Sequence, residues 1–591
     1  MGQAVGRSFD ISSNEYCLRF IGKETIVAND PFWNRFLAFN ITPPMTINEQ
    51  LAIESKIEPL CQELLKNNLS SGNFNSLIQC FLTKSTELLS ATNSNAELFN
   101  WQLFNTIFTI RCVLKFMTEI LPEEELMKHI EFKGSGNYVE SFIGTLVGII
   151  VDVPVEDSTY LIHLEALTCL LVCLSVQFHS GGRSDQSMIY RLIMRGKHVI
   201  HAPVLVKSLL TNFISQGKLP PGYGGNHGHS IVLDTNPVPP TKASSLFKID
   251  FNLLFLTLCE KATGDAATLL LYLLLHRNQS FKSFLLRRAD LDQLIVPILK
   301  TLYNAPNSNS HHIYMSLIIL LIMSEDDSFN TNIHDLKLKT VDWYTERALT
   351  EISLGGLLIL VILRTVQYNM LKMRDKYLHT NCLAALANMS SQFRNLHPYV
   401  SQRLISLLET LAKKYHRLIE LAKTEKERED SEVVVSVKDS ADVEQDLTVL
   451  EEVLRMVLEI LNSCLSTQLA NNPNLIYTFL YNRHTFELFK NDVVFQDIIH
   501  NLDIIIKYFS ELLHEKSREH EVDAHQVLLV IQQGARNWPK EKLTKFPDLK
   551  FKYVEEDQPE DFFIPYVWAL VGQQSVLNWS NDSLSVLTSI C

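Results

Sequence analysis

Apolar residues recur at spacings of three and four along most of the chain. Val400, Leu404, Leu407, Leu408, Leu411, Tyr415 and Leu418 form one such stripe, with Lys413, Lys414 and Arg417 between them. Leu447, Leu450, Leu454, Val457, Leu461 and Leu465 form another. A strand alternates every second residue, so these stripes predict amphipathic helices, each with one face turned to a core. The same pattern predicts helices near Leu98–Ile120, Val204–Phe213, Ile249–Leu258 and Asp503–Leu513. Helices joined by short loops through nearly the whole chain predict an all-α fold, either an irregular helical solenoid of the armadillo/HEAT type or a large compact helical bundle.

No fixed repeat length emerges. Degenerate helix-pair solenoids hide their period, because each repeat needs only an apolar stripe on each side to stack. The segment Cys382-Leu383-Ala384-Ala385-Leu386-Ala387-Asn388-Met389-Ser390 is similar to the last helix of an armadillo repeat. Its small alanines permit close helix approach, and Asn388 is placed to bond a neighbouring turn. This segment tips the expectation towards a solenoid: a single elongated helical domain over 1–591.

Two stretches interrupt the pattern. Residues 216–242 gather Pro220, Pro221, Gly222, Gly224, Gly225, Gly228, Pro237, Pro239 and Pro240 without apolar periodicity, and read as a flexible insertion. Residues 423–446 are rich in Lys, Glu and Asp, and read as a charged linker or frayed helix extension. A third segment, 546–568, mixes aromatics, acids, Pro559 and Pro565. It reads as an extended segment capping the apolar end of the solenoid.

Composition narrows the function classes. The chain has 591 residues, only 21 Gly and 20 Pro, and a formal net charge of −13. Few helix breakers fit the helical reading, and an acidic chain lacks the basic field that a general nucleic-acid binder needs. The ten cysteines are scattered, with no C-x-x-C, as expected in a reducing compartment. The apolar runs Ala166–Phe178, Met315–Met323 and Ile352–Leu363 each end before the roughly 18 residues of a membrane span, so none is expected to cross a bilayer.

Searches for chemistry yield no catalytic residue, metal site or cofactor site. Neither a phosphate-cradling G-x-x-x-x-G-K-[ST] nor a G-x-S-x-G nucleophile elbow occurs. The pairs His227/His229 and His311/His312 lack the companion ligands of a zinc site. Glu325-Asp326-Asp327 lacks the glycine and distal glutamate of a calcium loop and reads as a helix start. The N-terminus is more informative. Met1-Gly2-Gln3-Ala4-Val5-Gly6 exposes a glycine after methionine removal, and Gly2 is the candidate lipidation site. Gly6 stands where the myristoylation pattern favours Ser or Thr. One acyl chain gives only marginal, reversible membrane binding, so a second contact is required.

Several long runs resemble the dymeclin family. They include Asn29-Asp30-Pro31-Phe32-Trp33-Asn34, Ser310-His311-His312-Ile313-Tyr314-Met315 and Thr350-Glu351-Ile352-Ser353-Leu354-Gly355. The most extensive runs from Asp375 to Ser390, and Lys545-Phe546-Pro547 through Trp568 closes the set. The resemblance implies a non-enzymatic protein of Golgi organisation and vesicle traffic, peripheral to the membrane and exchanging between cytoplasm and Golgi apparatus. It implies Golgi or trafficking proteins as partners, reversible membrane contact through a myristoyl group on Gly2, and neither nucleic acid nor a small-molecule substrate. The competing expectation is a soluble cytosolic adaptor or transport receptor without a lipid.

Overall fold

The stripes become helices. A computed structural model describes residues 13–90, 96–131, 137–179, 187–195, 201–217, 248–373, 375–429, 437–490, 492–517 and 523–579. Helix accounts for 76% of the structure and strand for 2%. Among the described residues the strand content is one antiparallel pair, Lys337–Thr340 with Thr350–Ser353, in which Leu338 faces Ile352. In the helix Pro398–Glu429, Val400, Leu404, Leu407, Leu408, Leu411 and Tyr415 are buried, while Lys413, Lys414 and Arg417 are exposed. The helix Val437–Gln468 buries Leu450, Leu454, Val457, Leu461 and Leu465 in the same way.

Contacts fall into two compact units, one of residues 1–250 with 556–591 and one of 251–555, where the sequence reading expected a single domain. In the first unit, Thr46 and Glu49 form a reciprocal capping box that starts the helix Ile47–Ser71. Gly72 ends it at φ 70°, a left-handed conformation that glycine adopts without steric cost, and Asn73–Ser90 follows directly. The unit's core includes Phe81, Phe104, Phe142, Leu146 and Cys169.

The C-terminal segment corrects an expectation. Residues 544–556 form neither helix nor strand, but Pro559–Gln574 is a helix rather than part of an extended cap reaching residue 568. Pro559 occupies the first turn, where its missing N–H costs no intrahelical bond, and Glu560 and Asp561 suit the positive end of the helix dipole. Trp568 is buried in the first unit's core, packs against Phe178 with the rings tilted and their centroids 4.8 Å apart, and donates from Nε1 to Gln177 Oε1 at 3.0 Å.

In the second unit, Lys376–Ser390 buries Ala384, Ala385 and Ala387, and packs against Ser310–Ser324 and Val437–Gln468. Of the charged segment 423–446, both flanks continue as helix, and only 430–436 lies outside the described residues. The insertion also lies outside them from residue 218 onward.

The membrane-span expectation needs correction as well. Two helices, Tyr160–Phe178 and Leu354–Lys372, are long and apolar enough to cross a membrane, because the first begins six residues before its apolar run and the second continues past its run through Tyr368 into a π turn. In each, 72% of the apolar window is buried in protein, as in a core helix.

Candidate functional site

Asparagines on two helices of the second unit grip the segment 544–556 by its main chain. Asn388, buried near the end of Lys376–Ser390, accepts from Phe551 N at 2.6 Å through Oδ1 and donates to Phe551 O at 2.8 Å through Nδ2. Its second amide hydrogen goes to Ser324 Oγ at 3.0 Å, the neighbouring-turn bond that the sequence pointed to. Asn501, fully buried in the helix Gln496–Ser517, repeats the arrangement. Its Oδ1 accepts from Thr544 N at 2.9 Å, and its Nδ2 donates to Thr544 O at 2.8 Å and to Asn462 Oδ1 at 3.1 Å. Each carboxamide thus satisfies both backbone polar groups of one residue, as a neighbouring strand would.

Further contacts follow along the segment. Lys550 pairs with Asp327, and Tyr553 N donates to Glu325 Oε1 at 3.0 Å, while Lys282 holds the other Glu325 oxygen at 3.0 Å. Glu555 accepts from the Tyr272 hydroxyl at 3.1 Å and pairs with Arg277. Burial, joined by the Tyr553 hydroxyl and the Glu555 carboxylate, holds the Tyr272 phenol far above its usual range. The site therefore recognises backbone amides at two points and an acidic side chain at one end. Asn388 was legible beforehand; Asn501, Tyr272 and Glu325 as its companions were not.

A second feature lies in the first unit. A cavity of about 1040 Å³ opens between the helix Glu15–Ile21, the connection Phe36–Pro44, the helix Ile47–Ser71 and the helix Ala96–Ile120. Phe20, Phe39, Ile53, Ile57, Leu64 and Phe108 give it apolar walls. Arg35, Glu49 and Lys56 among its lining residues are exposed. Burial pushes the Cys61 and Cys112 thiols up to about 12, so they stay protonated and unreactive near neutrality. Beside the cavity, Arg111 and Glu165 form a buried ion pair, and Gln50 Oε1 accepts from Arg111 at 3.3 Å.

The remaining sequence candidates separate. Gly2, His227 and His229 lie outside the described residues. His312 sits between Asp265, at 2.8 Å from Nδ1, and Thr268, at 3.0 Å from Nε2, in a hydrogen-bonded core position. Asp326 caps the helix Asp327–Asp335, accepting from Ser328 N and Phe329 N. Among the described residues no group of three or more His, Cys, Asp or Glu is placed to hold a metal ion.

Internal main-chain clamps and an apolar cavity on a largely helical framework define a large helical protein. The chain belongs to the dymeclin family: the model described as "Dymeclin: Dyggve-Melchior-Clausen syndrome protein" matches residues 1–238 and 230–570. It is 42% identical to the dymeclin of Drosophila melanogaster, covering 100% of this chain and 99% of the relative. It is 41% identical to those of Xenopus laevis (100% and 99%) and Mus musculus (99% and 99%). No solved structure matches the chain.

Proposed function

We propose that this protein is a non-enzymatic peripheral membrane scaffold of Golgi organisation and vesicle traffic. It docks reversibly on membrane through an acyl group on Gly2 and binds partner proteins along helical-repeat surfaces of the armadillo type. The observation that carries the reading is the end-to-end family match. The Met1-Gly2-Gln3-Ala4-Val5-Gly6 start supports the lipid part. An acyl transferase would move the myristoyl group from a thioester donor to the Gly2 amine, forming an amide and releasing the thiol. A single acyl chain binds membrane only marginally, so partner contacts supply the rest.

Proximity labelling in cells, with the labelling enzyme fused at the C-terminus, tests the reading. The expected labelled set is Golgi membrane and trafficking proteins. A set confined to cytosolic proteins, unchanged by Gly2→Ala, would instead establish the soluble adaptor that functions without a lipid.

A further inference from the structure

The described chain begins at Ser13, and the next residue, Asn14, lines the apolar cavity of the first unit. Asn14 caps the helix Glu15–Ile21, accepting from Tyr16 N at 2.9 Å, and Tyr16, Cys17 and Phe20 of that helix form one wall. The N-terminal stretch therefore joins the fold at the cavity itself. From Gly2 to Ser12, at about 3.3–3.6 Å per extended residue, the chain reaches up to roughly 35–40 Å, enough to fold back to the opening.

The cavity's chemistry suits a long hydrocarbon. Its walls come from aromatic and branched aliphatic side chains, and Cys61 and Cys112 there are neutral thiols. Lining side chains with charge, such as Arg35 and Lys56, are exposed to solvent. Its volume of about 1040 Å³ matches the upper end of the roughly 300–1,000 Å³ range of small-molecule pockets, ample for a fourteen-carbon chain.

We infer that this cavity receives the acyl chain carried on Gly2 of the same molecule, holding the lipid within the first unit when the protein is off the membrane. The inference rests on the acylation of Gly2 proposed above. Because one myristoyl chain partitions only weakly into a bilayer, an apolar cavity competes with the bilayer for it. Membrane association then reports the balance between the two, which a partner bound at the membrane shifts.

The test uses the full chain co-expressed with an N-myristoyltransferase and fed a diazirine-bearing myristate. Intact mass reports whether Gly2 is acylated, and irradiation followed by peptide mapping locates the acyl chain. Crosslinks within the same chain to the helices Glu15–Ile21 and Ile47–Ser71 are expected. Ile53→Trp and Ile57→Trp, which fill the cavity, are each expected to raise binding of the myristoylated chain to phosphatidylcholine vesicles on the order of tenfold, the inverse of the released fraction. Gly2→Ala is expected to remove that gain. Crosslinks elsewhere, crosslinks to a second copy, or unchanged vesicle binding by a folded Trp variant would overturn the cavity assignment on an acylated chain. An unmodified Gly2 in the intact mass would overturn the acylation reading, and the assignment with it. If both Trp variants fail to fold, the crosslink map on the unsubstituted chain decides.

Discussion

Replacing Asn388 by Ala removes two hydrogen bonds to the main chain of Phe551, at 2.6 and 2.8 Å, and one to Ser324 at 3.0 Å. Each bond to the segment 544–556 contributes about 0.5–1.5 kcal/mol net, so the local closing of that segment weakens by about 1–3 kcal/mol. At tenfold per 1.4 kcal/mol, amide exchange at Phe551 accelerates by roughly 5- to 150-fold. The effect is local, because Tyr553 N remains bonded to Glu325 and Glu555 remains bonded to Tyr272. Hydrogen–deuterium exchange read by mass spectrometry over residues 543–558 measures it. Ser324→Ala is the control, since it removes the bond inside the helical framework and leaves both bonds to Phe551 in place. Faster exchange in the helix Lys376–Ser390 with no change around Phe551 would refute the clamp and make Asn388 a core residue only.

Other substitutions probe the packing. Asn501→Ala should accelerate exchange at Thr544 by a comparable factor and leave Phe551 protected, which the same experiment reads. Gly355→Ala places a Cβ 2.6–2.9 Å from the His334 ring, which is buried against Phe393. Overpacking of about 1–3 kcal/mol outweighs or matches the roughly 1 kcal/mol gained in helix propensity. Denaturant unfolding of the second unit's helices should therefore shift to lower midpoint, and a higher midpoint would contradict the close approach. Burial, aided by the Arg394 charge, pushes His334 down to about 4 from an ordinary 6.5. The unfolded chain then takes up the proton first, so stability is complete above about pH 6.5 and falls as the pH drops towards 4. Between pH 7 and 4.5 the natural chain should lose about 2–3 kcal/mol more than His334→Leu; equal losses would show that His334 is not the group responsible. Glu165→Leu strands the buried Arg111 charge and should cost about 3–5 kcal/mol, and adding Arg111→Met should recover most of it, measured by the same unfolding.

The helical stripes were legible because burial follows a 3.6-residue period that sequence displays directly, as at Val400–Tyr415. Asn388 stood out because it interrupts a run of small apolar residues, where a polar group demands a partner. Asn501 did not, because it lies in an amphipathic helix with charged neighbours and its partner Thr544 is 43 residues away. The helix Pro559–Gln574 was hidden by Pro565 and by aromatics all round, which leave no period to read. The length of the two span-long helices was misjudged because helix continues through polar and charged residues flanking each apolar run, His163 and Glu165 before the first and Arg364, Thr365 and Gln367 after the second. The cavity has no sequence signature at all: its walls come from four segments between Asn14 and Val113, and each reads alone as ordinary core.

The central claim is reversible membrane docking through Gly2. Live-cell imaging of the full chain tagged at its C-terminus, beside Gly2→Ala at matched expression, tests it most directly. The natural chain is expected to be shared between cytoplasm and Golgi membrane, and the Gly2→Ala chain to be largely shifted to the cytoplasm. Equal Golgi recruitment of the two would contradict it.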